Sequence, residues 1–149
     1  IHSRTFELLG ANPIQMDLTE AIAMIKAGTL DAQENPLANT ATYKVHKYHR
    51  FHTLSSHFYL SRGLWAHRDS IDEWPEELRS RLEEIIPESI EFQRGLAVEE
   101  EEVARREIEG EGCEIIELNT EQHARFVDSV NPLKKEARDI FGDKMFEML

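Results

Sequence analysis

The sequence predicts an α/β fold, in which helices pack on the faces of a sheet. Apolar residues recur at helical spacing in several segments, and short runs rich in β-branched and aromatic residues separate these segments. The elements follow the order strand, helix, strand, then strand, long helix, strand and two helices, which is typical of an α/β chain. The 149 residues have the size of one ordinary domain.

The N-terminal part of the chain contains two predicted helices that each end at a glycine. His2–Leu9 has the pattern of a helix end and stops at Gly10. Asp17 offers a capping oxygen to a second helix, which ends at Gly28. Three further elements are predicted here: a short strand at Ile14–Met16, an extended piece at Thr29–Asp31 and a weakly helical segment at 37–48.

The central part of the chain is predicted to contain a strand and a long helix. Phe51–Ala66 is enriched in Thr, Phe, Tyr and Trp, and its apolar parts are His57–Leu60 and Leu64–Ala66. Pro75 suits the first turn of a helix, and apolar residues recur at helical spacing after it. Pro87 lacks a backbone donor and clashes with the preceding turn, so we expect it to kink or split this helix.

The C-terminal part is predicted to contain one strand and two helices. The long helix ends near Gly110, and a buried strand follows at Cys113–Leu118. The two helices are expected at 120–130 and 132–147. The four glutamates Glu99–Glu102 are predicted to form the solvated face of the long helix.

Composition excludes several classes of function. The net charge of −12 disfavours binding to phosphate backbones and to anionic membrane surfaces. No apolar run approaches the ~18 residues of a membrane-spanning helix, and no signal peptide is visible. No nucleophile elbow, phosphate loop or paired His–Glu motif occurs, so we expect neither enzymatic activity nor a cofactor.

A polar block before Pro36 is the candidate binding segment. Gln33, Glu34 and Asn35 run directly into this proline, which biases the residue before it towards an extended conformation. The amide of Asn35 is therefore predicted to point away from its own backbone and into a cleft. The alternative is that Asn35 is an Asn-Pro turn residue that caps the loop.

The chain resembles the solute receptors of TRAP transporters, the DctP-type periplasmic binding proteins, over nearly its whole length. The most specific block is Asp31-Ala-Gln-Glu-Asn-Pro-Leu37. The other blocks occur in the family's order: Leu9-Gly-Ala-Asn-Pro13, Met16 followed by Glu20, Gly28 ahead of the specific block, Lys47-Tyr48 ahead of His57, and Trp74-Pro75 ahead of the long helix.

The resemblance implies a non-enzymatic periplasmic receptor of two lobes, roughly twice this length. Such a receptor clamps a small organic acid between its lobes and delivers it to a membrane permease. An arginine of the family contacts the carboxylate, and its strand would precede Ile1; Arg4 lies within a helix and does not take this role. Residues 1–149 are thus expected to be one partial domain, the second lobe of a periplasmic-binding-protein-like fold with long C-terminal helices. The chain is expected to be a fragment whose true start was processed, trimmed or left out.

Five candidate ligand-binding residues follow from the resemblance. Asn35 occupies the position of an asparagine that assists carboxylate binding, and one of Gln33 and Glu34 is expected to face the cleft. His57 matches a family position near the cleft, or alternatively satisfies a hydrogen bond in the core. Arg62 is a candidate for a second anion contact, and its alternative is a surface arginine.

The histidines suggest a rival function, metal binding. His46, His49 and His52 are spaced three apart, with His57 and His67 nearby, and imidazole is the commonest metal ligand in proteins. However, this spacing on a strand directs side chains to opposite faces. We therefore expect surface and edge histidines rather than a metal site.

A half-receptor is also expected to expose apolar surface made for its missing lobe. Such surface favours a homodimer, and a further rival function is a truncated remnant that self-associates through the long helix. Trp65 and Trp74 are predicted to lie in the core or at the lobe interface. Cys113, the single cysteine, is predicted to be an inert core residue without an intrachain disulfide.

Overall fold

The structure, a computed structural model, describes residues 1–59 and 61–146. Its elements are α1 His2–Leu8, α2 Leu18–Ala27, α3 Leu37–Thr42, a 3₁₀ turn at Val45–Lys47, β1 Phe51–Leu54, α4 Arg68–Asp72, α5 Glu76–Gly110, β2 Glu114–Glu117, α6 Thr120–Val130, α7 Pro132–Phe141 and α8 Asp143–Phe146. The chain divides into two compact units. The sheet unit comprises residues 1–33 and 48–55 with the described residues from 114 onward, and the long-helix unit comprises residues 34–47 and the described residues among 56–113.

The sheet unit is built on one pair of parallel strands. Phe51 of β1 pairs with Glu114 of β2, and Leu54 pairs with Glu117. The strand predicted over Cys113–Leu118 is present as β2, but the prediction that it is buried is wrong, because the residues of β2 are exposed or half-buried. The predicted strand Phe51–Ala66 is wrong beyond Leu54, because Ser56 has a left-handed φ of 48° that ends the extended conformation. Leu60 lies outside the described residues.

Local capping explains the helix boundaries of the sheet unit. The Asp17 side chain accepts a 2.8 Å hydrogen bond from the Thr19 amide at the start of α2. Gly28 adopts a left-handed φ of 70° at its end, as the sequence predicts. The predicted strand at Ile14–Met16 is wrong, because a strand needs a hydrogen-bonded neighbour and the sheet in the described ranges contains β1 and β2 alone. The extended piece predicted at Thr29–Asp31 likewise lies outside this sheet.

The C-terminal helices follow the predicted order with one further break. Asn119 and Gln122 form a reciprocal capping box at the start of α6. Pro132 opens α7, and Gly142 separates α7 from α8 with a φ of 79°. The predicted single helix over 132–147 is therefore interrupted at this glycine, and its last residue lies outside the described part of the chain.

The long-helix unit is dominated by α5, whose 35 residues extend roughly 52 Å. The helix continues through Pro87. Of the two outcomes predicted there, a split is wrong, because the loss of one backbone donor leaves the hydrogen bonds on both sides to hold the segment helical. None of the helices in the described ranges is long and apolar enough to cross a membrane.

The core of the long-helix unit lies where α3 and the 3₁₀ turn pack against α5. Ala41 and Val45 are buried on one side, and Ala104 and Ile108 on the other. Small alanines allow the two backbones to approach closely, which lets polar side chains reach across. Glu101 accepts a 3.3 Å hydrogen bond from the Ala38 amide, so it is not simply part of a solvated face. This contact satisfies a donor at the start of α3 that Pro36 has no side-chain group to cap.

Several large apolar side chains are exposed on this chain. Trp65 is 89 % exposed and Trp74 is 42 % exposed, so the prediction that they lie in the core of this chain is wrong. Leu64 and Phe92 are exposed as well. Periodicity identifies apolar positions but not the partner that covers them, which explains the error.

We predict that Ile108→Ala destabilises the long-helix unit by about 2–5 kcal/mol, because Ile108 is completely buried and its truncation leaves a cavity. Urea denaturation followed by circular dichroism measures the change. Ile140→Ala is the matched control: Ile140 is 73 % exposed on α7, so its truncation is expected to change stability by less than about 0.5 kcal/mol. Equal effects of the two substitutions would contradict the assignment of this core.

Candidate functional site

The predicted binding segment lies immediately before α3. Asn35 is half-buried, and its Oδ1 accepts a 3.3 Å hydrogen bond from Nδ2 of Asn39, one helical turn further on. Pro36 is the N-terminal cap residue of α3 and has an extended ψ of 154°. The Asn35 side chain thus supports the start of α3, as the turn alternative anticipates. Its role towards a ligand stays a prediction.

Glu34 and His57 are brought together in the long-helix unit. Oε2 of Glu34 lies 3.5 Å from Nε2 of His57, and both side chains are partly exposed. The ring of His57 also contacts Phe58 edge to face, with 4.7 Å between the ring centroids. His57 thus contacts a carboxylate that sequence reasoning had treated separately from it.

The remaining candidate residues, Gln33 and Arg62, lie in different units of the chain. Gln33 is half-buried and belongs to the sheet unit, whereas Arg62 is exposed and belongs to the long-helix unit. The position of Arg62 is that of a surface arginine. Whether either residue contacts a ligand stays a prediction.

The histidines do not assemble as a cluster of their own. His49 contacts the Leu30 carbonyl at 3.3 Å, His52 lies on β1, and His67 is exposed at the start of α4. His46 is buried, so the expectation of a surface or edge position is wrong for it. The reason is that His46 lies on the 3₁₀ turn, which packs against α5, rather than on a strand.

His46 instead faces two glutamates of α5. Its Nε2 lies 3.4 Å from Oε2 of Glu111 and 3.9 Å from Oε1 of Glu107, which is one turn earlier in the helix. Lys44 donates to Glu107 at 2.6 Å, and Lys47 lies 3.5 Å from Glu111. We call His46, Glu107 and Glu111 the histidine–glutamate cluster. In the described ranges, these three residues form the group whose side chains are placed to hold a metal ion.

Neighbouring positive charges keep both glutamates of the cluster ionised. The hydrogen bond from Lys44 lowers the pKa of Glu107 below its usual value of 4.5, although partial burial acts in the opposite direction. Partial burial acts to raise the pKa of Glu111, but His46 and Lys47 together outweigh it, so that pKa is lowered as well. The sequence did not identify Glu107 and Glu111 as site residues. They are four positions apart on one helix, but nothing in that spacing indicates that they face His46, which lies far away in sequence.

Cys113 also contributes to this region. Its Sγ donates a 3.3 Å hydrogen bond to the backbone carbonyl of His46, and the residue is half-buried rather than fully in the core. The thiol therefore holds the backbone of the 3₁₀ turn in place.

Comparison with solved structures shows which class of protein has this fold, the periplasmic solute-binding proteins. A TRAP periplasmic solute-binding protein from Ochrobactrum anthropi superposes with a TM-score of 0.86 at 27 % identity, over 99 % of this chain and 46 % of that one. A TRAP periplasmic solute-binding protein from Shewanella oneidensis, solved with bound succinate, has the same fold with a TM-score of 0.80 at 21 % identity, over 98 % of this chain and 48 % of that one.

The chain belongs to family 7 of the bacterial extracellular solute-binding proteins (DctP), whose family model matches residues 1–139. It is 30 % identical over 135 residues to the C4-dicarboxylate-binding periplasmic protein DctP of Rhodobacter capsulatus, which is 90 % of this chain and 40 % of the relative. It is 27 % identical over 111 residues to the 2,3-diketo-L-gulonate-binding periplasmic protein YiaO of Escherichia coli K12, which is 74 % of this chain and 34 % of that relative.

These comparisons confirm the resemblance to TRAP receptors and the predicted fold class. They also confirm that the family consists of solute-binding receptors and not of enzymes. The chain spans well under half the length of these two curated relatives, 40 % of one and 34 % of the other.

We predict that the histidine–glutamate cluster makes stability depend on pH in the acid range. Because the native pKa values of Glu107 and Glu111 are lowered, their contribution is complete above the unfolded value of about 4.5 and is lost as the pH falls through the native values. The double variant Glu107→Gln with Glu111→Gln should melt below the parent at pH 7, and the gap should narrow towards pH 3.

Thermal unfolding at successive pH values measures this gap. Glu83→Gln, at an exposed position of the same helix, serves as the control and should follow the parent at every pH. A gap between the double variant and the parent that stays constant down to pH 3 would contradict the prediction.

Proposed function

We propose that this chain is the ligand-binding lobe of a TRAP-type receptor that captures a small organic acid in the periplasm and delivers it to a membrane permease. Membership of the solute-binding family carries the proposal. The named solutes of its relatives support the ligand class: C4-dicarboxylates and 2,3-diketo-L-gulonate for two curated relatives, and succinate and β-D-galacturonate in two solved structures. All four are carboxylic acids.

Asn35 is proposed to contact the carboxylate of this acid. An amide N–H adds a neutral donor beside an arginine fork without adding charge. The hydrogen bond from Asn39 uses the amide oxygen of Asn35, whereas a carboxylate would accept from the NH2 group of the same amide. Gln33, two positions before Asn35, is proposed as a further ligand-binding residue on the basis of the sequence block alone.

Glu34 has the wrong charge to face an organic anion. Its contact with Nε2 of His57 at 3.5 Å supports a different role, in which the imidazole holds the Glu34 carboxylate in place beside Asn35. Arg62 is proposed as a second positive group for the anion, reached from the exposed loop that contains it. With a net charge of −12 on the chain, such local positive groups are needed to hold an anionic ligand.

This chain covers 46 % of the Ochrobactrum anthropi protein. The remaining part of the binding site is proposed to lie in the portion of such a receptor that this chain does not cover. The carboxylate-binding arginine of the family belongs to that part. The 149-residue chain alone should therefore bind organic acids weakly. Micromolar binding of succinate by the isolated chain, measured by calorimetry, would contradict this division of the site.

We predict that Asn35→Ala weakens binding of an organic acid at least tenfold. A hydrogen bond to a charged group contributes about 1.5–3 kcal/mol, which corresponds to roughly ten- to 150-fold in affinity. The test uses a chimera in which this chain replaces the aligned segment of the Rhodobacter capsulatus receptor, with succinate as the titrated ligand in a calorimeter.

Asn131→Ala, at an exposed position between α6 and α7, is the matched control and should bind like the parent chimera. A folded Asn35→Ala chimera of unchanged affinity would show that this residue only supports α3. A folded parent chimera that binds no organic acid would argue against the ligand class itself.

The exposed apolar side chains favour a second proposal, that the isolated chain forms a homodimer. Tyr59, Trp65 and Phe92 are all largely exposed, and monomeric soluble proteins seldom leave many large apolar side chains uncovered. Self-association through the long helix is also the alternative function for a truncated remnant of a receptor.

Size-exclusion chromatography with light scattering tests the dimer. We expect a mass of twice 17.3 kDa at high concentration and a shift towards monomer in Phe92→Glu, because a charge on this face of α5 opposes apolar contact. Val127→Glu, on α6, is the control substitution. A monomer at every concentration would exclude both the dimer and the self-association alternative.

A further inference from the structure

The protonation pattern of His46 is set by its backbone neighbour. The side chain of His46 has no exposed surface, and its Nδ1 lies 3.3 Å from the carbonyl oxygen of Thr40. A carbonyl oxygen only accepts hydrogen bonds, so Nδ1 carries the ring proton and donates a hydrogen bond to this oxygen. In the neutral ring, Nε2 then presents a lone pair.

This lone pair faces negative charge. Nε2 is buried and makes no hydrogen bond of ordinary geometry, although Oε2 of Glu111 is 3.4 Å away and Oε1 of Glu107 is 3.9 Å away. A lone pair and two carboxylate oxygens repel one another unless a positive charge lies between them. The arrangement therefore calls for a cation, which is either a proton on Nε2 or a metal ion.

We propose that His46, Glu107 and Glu111 bind one divalent cation of the zinc class. The three ligand atoms lie within 4.8 Å of one another. With metal–ligand bonds of about 2.1 Å, the ligand atoms of a tetrahedral site are roughly 3.4 Å apart. The distance from His46 to Glu111 already has this value, and the one from His46 to Glu107 needs to shorten by roughly 0.5 Å.

The donor set selects the kind of cation. An imidazole nitrogen with two carboxylates suits zinc and its transition-metal neighbours, whereas calcium and magnesium prefer oxygen ligands throughout. Three protein ligands leave a fourth position for water. The partly exposed carboxylates give the cation a route of entry and can adjust to its bond lengths.

The surroundings hold the histidine as a ligand. A metal-binding imidazole usually donates its other N–H to a carbonyl or a carboxylate, and Nδ1 of His46 does so to buried Thr40. The Cys113 thiol donates to the carbonyl of His46 itself and so restrains the backbone. These contacts fix the imidazole ring and the backbone that carries it, so Nε2 is held in place as a ligand atom.

Lys44 and Lys47 compete with the cation for the same carboxylates. Their side chains are 54 % and 50 % exposed, and ion pairs at such exposed positions add little stability. A divalent cation can therefore displace the Lys44 ammonium from Oε1 of Glu107, the oxygen that also faces His46. Lys47 contacts Oε1 of Glu111, whereas Oε2 of Glu111 faces His46, so Lys47 competes through the charge of the carboxylate. Removal of these lysines should strengthen metal binding, which a purely structural charge network does not predict.

Titration of the chelator-treated 149-residue chain with zinc chloride at pH 7.5 tests the site. We expect calorimetry to give one zinc per chain, and cobalt(II) to give the visible absorption bands of a tetrahedral nitrogen–oxygen site. His46→Gln and Glu111→Gln should each weaken zinc binding at least tenfold. His123→Gln, at an exposed position of α6, is the matched control and should leave the affinity unchanged.

The double variant Lys44→Ala with Lys47→Ala separates a metal site from a structural network, since we expect it to bind zinc at least threefold more tightly. Folding of every variant is checked by circular dichroism. Absence of stoichiometric zinc binding by the parent chain would overturn the proposal. So would equal losses in His46→Gln and His123→Gln, or NMR spectra in which His46 is doubly protonated at pH 7.5 and unchanged by zinc.

Discussion

The packing of a short helix against a long one is the constraint on which the candidate sites depend. Ala41 and Val45 meet Ala104 and Ile108 in a small apolar core, and the low volume of the alanines sets the close approach of the backbones. Helix α3 has only six residues and is marginal by itself, so this contact is what holds it. The binding segment before α3 and the 3₁₀ turn after it are both positioned as a consequence.

Local chemistry was predictable from the sequence, and long-range pairing was not. The helix end at Gly28 and the start of α6 at Asn119 depend on residues within one turn, and short-range rules identify such ends. The strand beginning at Phe51 was predicted too long, because its aromatic content continues past the left-handed backbone of Ser56. Family membership was predictable because its blocks are contiguous and keep their order along the chain.

The polar contacts of α5 show why the remaining part of the sites escaped prediction. Glu101 belongs to the run Glu99–Glu102, which was predicted to be a solvated face, and Glu107 follows on the same helix. Both carboxylates nevertheless accept hydrogen bonds from groups far away in sequence, the Ala38 amide and Lys44. No periodicity distinguishes a glutamate that caps another helix from one that faces water. His46 lies in the segment predicted to be weakly helical, but its burial depends on the packing of the 3₁₀ turn against α5, which no local pattern indicates.

The two interpretations of Asn35 do not compete in the way that the sequence suggests. A turn residue and a ligand contact are alternatives only if the same atoms serve both purposes. The hydrogen bond from Asn39 engages the oxygen of the Asn35 amide, whereas a carboxylate ligand requires the N–H donors of that amide. Support of α3 and the proposed binding of an anion thus use different atoms of one side chain. A residue held by its oxygen is also oriented before a ligand arrives, which lowers the entropic cost of binding.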